Sequence, residues 1–220
     1  VVTSNGGVIR VFAMGDIQVA SLNAGSGALS LNTGAGGGVT DNGITDIDLV
    51  GGSLRIVAGV GVGVSGNHLD TAVSTVAAQA GAGGIFLADN DGLEIGVVAA
   101  VNSSRVQTNG TANTLVDVAM EGLLTQAGDA HAVVETLDGP LSVSSRILVD
   151  GAGNIRLSAA GANGSVDVMA NVSTPAGHIT VVGQKDVAQS NSGMLEALNG
   201  TIDVQATTGS INMGDGTSAT

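Results

Sequence analysis

Apolar and polar residues alternate along this chain in short bursts, most of them opened by a glycine. The unit is a turn former, any residue, then apolar–any–apolar. It recurs at 7–11, 15–19, 27–31, 52–56, 83–87, 139–143, 153–157, 164–168, 177–181, 200–204 and 209–213, with variants lacking the leading glycine at 47–49, 93–95 and 116–118. In thirteen of these fourteen segments the residue between the apolar pair is polar or charged, as with Arg10, Ser30, Asp48, Arg55, Glu94, Asp117, Asp167 and Asp203; Phe86 is the exception. A strict period of two predicts short strands with one face buried and one face wet.

A longer period overlies the short one. Gly153, Gly177 and Gly200 open similar segments at nearly equal intervals. A recurrence of about 20–25 residues with two or three short strands in each period is what a parallel β-solenoid requires, each coil burying its apolar pairs against the coils above and below. Asn-Gly pairs at 5–6, 42–43, 109–110, 163–164 and 199–200 suit its corners. They also suit two-residue hairpins; the longer recurrence decides for the solenoid. The expected fold is therefore all-β, a single unit over 1–220 of about ten coils, roughly 50 Å long at the interstrand spacing. Two stretches depart from the pattern. Leu69–Ala80 has Val73, Val76, Ala77 and Ala80 at helical spacing, so it reads as a short helix or as a strand with a corner. The stretch 97–138 carries the weakest alternation and is where loop insertions are expected.

Composition narrows the function. Glycine supplies 36 of 220 residues, but neither its spacing nor the two prolines suit collagen. With no Cys there is no disulfide framework, zinc finger or Cys nucleophile. A formal charge of −13 repels phosphate, and two Phe with no Trp or Tyr offer little for bases to stack on, so nucleic acid is not expected. The lack of Trp and Tyr also argues against an outer-membrane barrel and against sugar-stacking platforms. No basic leader and no uninterrupted apolar span occurs.

The runs GGSLRIVAGVGVG (51–63), AGAGGIFLADNDGLEIG (80–96), AGNIRLSAAGANGSVDV (152–168) and TTGSINMGDGT (207–217) resemble the repeats of large bacterial haemagglutinin-like adhesins, the broad family of filamentous haemagglutinin. The resemblance implies a right-handed parallel β-helix, secretion to the cell surface, and a part in adhesion or in a surface fibre. The end of the chain, joined to its start, reads as one more turn of the same kind (GSINMGDGTSAT–VVTSNGGVIRV), which leads to the expectation that the 220 residues are one repeat of a longer tandem array.

The expected role is structural, not enzymatic: a stiff extracellular rod that meets neighbouring repeats end to end, other copies of the fibre, and other cells or matrix glycans. The alternatives are a glycan- or Ca²⁺-dependent adhesive module and, third, a lyase-like β-helix enzyme acting on acidic polysaccharide. No cofactor is required by the sequence. Asp89 and Asp91 place oxygen donors at alternate positions before Gly92, as calcium loops do, and with Glu94 they form the candidate Ca²⁺ site. Gly61–Gly66 matches G-x-G-x-x-G, with Asp89 or Asp91 downstream, but no β-α-β alternation surrounds it and it reads as a glycine corner. His68, His131 and His178 stand apart and read as surface residues, and the five methionines as core filler. No G-x-S-x-G elbow is present.

Overall fold

The structure is a computed structural model and describes residues 1–43 and 46–214. The strands stack in parallel as a β-solenoid of about nine turns, and no helix occurs among the described residues. The quoted tail 215–220 lies outside the described residues.

Three walls share the core, and residues in register form columns along the axis. In the first wall one column runs Ile9, Leu29, Leu54, Val76, Ile95, Val143, Val168. Two residues on, a second runs Val11, Leu31, Ile56, Ala78, Leu123, Ile147, Val172, Leu195. In the second wall Ile17, Val39, Val62, Ile85, Ala132, Ile155, Ile179 and Ile202 stand in line. The third wall starts with Val2, Leu22 and Leu49 and turns polar at Thr71 and Asp89. The successive partners Ala132, Ile155, Ile179 and Ile202 each advance the chain by one coil, so the coil length is nearly constant over this half. Away from the first and last coils, the apolar members of these columns are the buried core. At the last described coil they are uncovered: Ile202, Ile211 and Met213 are nearly half exposed.

Leu69–Ala80 is a strand, not a helix. Val76, Ala78 and Ala80 face the core, Val73 is buried before them, and Ala77 is buried on the opposite side beneath an insertion. Burial on both faces is what imitates helical spacing here. The stretch 97–138 divides in two. Residues 123–138 are ordinary coil, with Leu123–Thr125 in the first wall and Ala132–Thr136 in the second. Residues 97–121 leave the first wall between Ile95 and Leu123 as an antiparallel hairpin, Val101–Val106 paired with Ala112–Asp117. Its tip is the Asn109-Gly110 turn.

The hairpin folds back over the outside of the first coils, so several polar positions expected in water are covered. Arg10, Ser30, Arg55 and Ala77 are register partners on that outer face, and Ser30 and Arg55 are buried. The alternation at 116–118 is inverted: Asp117 faces the wall while Val116 and Val118 are exposed. The methionines do not fill the core. Met14, Met169, Met194 and Met213 are exposed, and Met120 packs under the hairpin with Val98, Val101 and Ala77.

Candidate functional site

Asp89, Asp91 and Glu94 point in different directions. Asp89 ends the strand Gly84–Asp89 on the inner face and is fully buried. Its Oδ2 accepts from Thr71 Oγ1 at 2.7 Å and from the Val73 amide at 3.1 Å; its Oδ1 accepts from the Asp91 amide at 3.2 Å. Oδ2 thus ties one coil to the next, and Oδ1 holds the turn that follows its own strand. Asp91 and Glu94 are exposed, and Glu94 accepts a hydrogen bond from the Ser144 hydroxyl. Burial pushes the Asp89 carboxyl up to about 6, against the hydrogen bonds from Thr71, Val73 and Asp91. The folded state therefore holds this proton more tightly than the unfolded chain. Its stabilising effect is full below about pH 4 and is lost as pH rises through about 6. The cost of Asp89→Asn is accordingly expected to be largest at pH 4 and to shrink by pH 7, read as the difference in urea midpoints between the two proteins.

A different acidic group is assembled by the coil. Asp41 closes the second-wall strand Val39–Asp41, Asp48 precedes the strand Leu49–Val57, and Asp70 lies in Leu69–Ala80. The Asp48 amide donates to the Asp70 carbonyl at 3.1 Å, which sets the two residues side by side on adjacent coils. One carboxylate oxygen from each of the three lies within 4.8 Å of the others. The alternation at 47–49 predicts a wet Asp48; instead it is 1% exposed, and Asp41 is 6% exposed. Oδ1 of Asp41 accepts from the Gly43 amide, but Oδ2 of Asp41 and Oδ2 of Asp48 are buried and have no hydrogen-bond partner. Burial first, then the Asp41 charge and a side-chain hydrogen bond with Asp41, then the Asp70 charge, push Asp48 up to about 7, against a backbone hydrogen bond with Asp70. Asp70 is raised by burial and by Asp41, with His68 opposing. Beside Asp70 a cleft of about 70 Å³ opens between Ile47, Thr71, Ala88, Asn90 and Leu137.

Sequence reasoning misses these three aspartates because no local motif joins them. The usable signal is the coil period itself, since Asp70 follows Asp48 by one turn of the solenoid.

The other candidates are structural. His131 Nδ1 accepts from the Asn154 amide, Asn154 Oδ1 from the His178 amide, and His178 Nδ1 from the Thr201 amide, a ladder up one corner. His68 packs against Phe86 with ring centroids 5.8 Å apart. Gly61–Gly66 is a corner: Gly63 has φ +63°, Val64 and Asn67 bridge, and a strand follows. Asp167 and Asp203 stand in different walls, so they do not form a carboxylate pair. No helix among the described residues is long and apolar enough to cross a membrane. Compared with family models, curated proteins and solved structures, the chain matches none.

Proposed function

We propose that this chain is a structural segment of an extracellular bacterial surface fibre or giant adhesin, of the kind its repeats resemble, and that it acts as a stiff rod rather than as an enzyme. The observation that carries this is the pair of apolar columns, Val11 to Leu195 and Ile17 to Ile202, that run without a break through successive turns of the solenoid. Extension of such a rod must break inter-coil hydrogen bonds and open a continuous core together, which makes it resist load. The net charge of −13 keeps the outside soluble. Electron cryo-microscopy of the native assembly tests the proposal. The expected density is a rod with coils every ~4.8 Å that runs on without a break past this segment. A capped, isolated domain overturns it.

A second reading rests on the groove between the hairpin and the first coil. About 460 Å³ in volume, it is lined by Thr3, Ser4, Arg10, Ser103, Ser104 and Arg105 among others. An adhesive module binding a glycan there predicts saturable binding that Arg105→Ala weakens.

A further inference from the structure

We propose that Asp41, Asp48 and Asp70 together bind one divalent cation, calcium above all, at the corner where the second wall passes into the third. Four observations converge. Three carboxylate oxygens lie within 4.8 Å of one another. Oxygens bound at about 2.4 Å to one calcium ion are at most about 4.8 Å apart, and these three fall within that limit. Two of the three side chains are more than nine-tenths buried, and each has an oxygen with no hydrogen-bond partner. A buried carboxylate oxygen left without a donor is costly, and buried charges are ordinarily paired or coordinate a metal. No Lys or Arg forms an ion pair with these aspartates among the described residues. Finally, Asp70 is partly exposed and lines the small cleft, which gives an ion a way in and leaves room for water ligands to complete its shell.

An all-oxygen, all-carboxylate set is hard, which selects calcium or magnesium over zinc or copper. Calcium accepts irregular shells of six to eight oxygens, whereas magnesium demands a tight octahedron and holds its waters. Three aspartates fixed by two strands and a corner match the first better. The ion would join consecutive coils, because Asp48 and Asp70 stand on neighbouring turns and Asp41 on the turn before the corner.

The test is calorimetric titration of the chain with calcium chloride after treatment with chelator, in about 0.5 M sodium chloride, where the Debye length is short and diffuse attraction to the acidic surface is screened. One calcium per chain is expected, with a rise of several degrees in the unfolding midpoint and about ten-fold weaker binding of magnesium. Asp48→Asn and Asp41→Asn should each abolish the saturable site. In chelator both should be at least as stable as the parent, because an amide removes repulsion and donates to a neighbouring carboxylate; that result separates loss of binding from loss of fold. Asp91→Asn with Glu94→Gln should leave the site intact. Absence of a one-to-one site in the parent overturns the proposal and leaves the three aspartates sharing protons. Unchanged binding in both single variants overturns it as well.

Discussion

Replacement of Gly177 by alanine is expected to destabilise the solenoid by about 3 kcal/mol or more, among the largest effects of any single methyl in the chain. Gly153, Gly177 and Gly200 stack at one corner on successive coils. A Cβ on Gly177 would overlap the carbonyl oxygen of Gly153, and one on Gly200 would overlap that of Gly177. The obstacle is backbone, so no side-chain rotation relieves it. The Gly153 carbonyl also accepts from Thr174 Oγ1 at 2.7 Å, and Thr174 Oγ1 in turn accepts from the Gly177 amide at 3.0 Å. Any displacement that makes room breaks this link. Because each coil contacts mainly its neighbours, the damage should spread from the seam toward the exposed end rather than through the whole rod. Hydrogen exchange should show amides from 177 to 213 losing protection while the columns from Leu29 to Ile95 keep theirs. Gly15→Ala is the control: a Cβ there meets nothing within 4 Å, and its effect should stay within about 0.5 kcal/mol. Equal stability of the two variants would refute the stacking argument.

The same corner shows why so much of the fold was legible. Each strand carries its own period-two signal, and the glycines mark where a coil must come close to the previous one. Both are local, and the length of a coil follows from their repetition. What the sequence hid was whatever depends on contacts between distant parts of the outer surface. Ser30 and Arg55 look like solvent-facing residues until a hairpin from 97–121 covers them. Asp117 looks like the wet middle of an apolar pair, yet its partners Arg10, Ser30 and Asn32 are distant in sequence, at the other end of the first coils. The acidic corner was hidden for the same reason. Asp89-x-Asp91 stands out as a local motif, while Asp41, Asp48 and Asp70 meet only once the coil closes. Asp89 itself is an internal strut between coils, a role that a calcium-loop pattern cannot be told from by spacing alone.

Asp117→Ala should release the hairpin from the rod at a cost of about 3 kcal/mol, the lower end for removing one partner of a buried ion pair. One carboxylate holds three residues from two coils. Its oxygens accept from Arg10 Nε at 2.7 Å and Nη2 at 2.9 Å, from Ser30 Oγ at 2.7 Å and from Asn32 Nδ2 at 3.1 Å. Beside it, Arg55 donates to the Val118 carbonyl and to Asn32 Oδ1. With Asp117 gone, Arg10 and the buried Arg55 face each other without a counter-charge. The loss is local, because the hairpin lies outside the columns: exchange protection of 101–117 should collapse while the inner strands hold. Acid should act in the same way. Burial pushes the Asp117 carboxyl up, but the hydrogen bonds from Arg10 and Ser30 and the charges of Arg10 and Arg55 outweigh it and hold it below the usual carboxylate range. A depressed pKa stabilises above the unfolded value near 4 and is lost as pH falls through the folded one. The hairpin of the parent protein should therefore loosen below about pH 4, whereas that of Asp117→Ala should already be loose at neutral pH and change little on acidification. Arg10→Met combined with Asp117→Ala should cost less than the two single changes together, since the double variant leaves one buried charge fewer unpaired. Additive costs, or a hairpin as protected in Asp117→Ala as in the parent, would show that the apolar contacts of Val98, Val101 and Met120 hold it unaided.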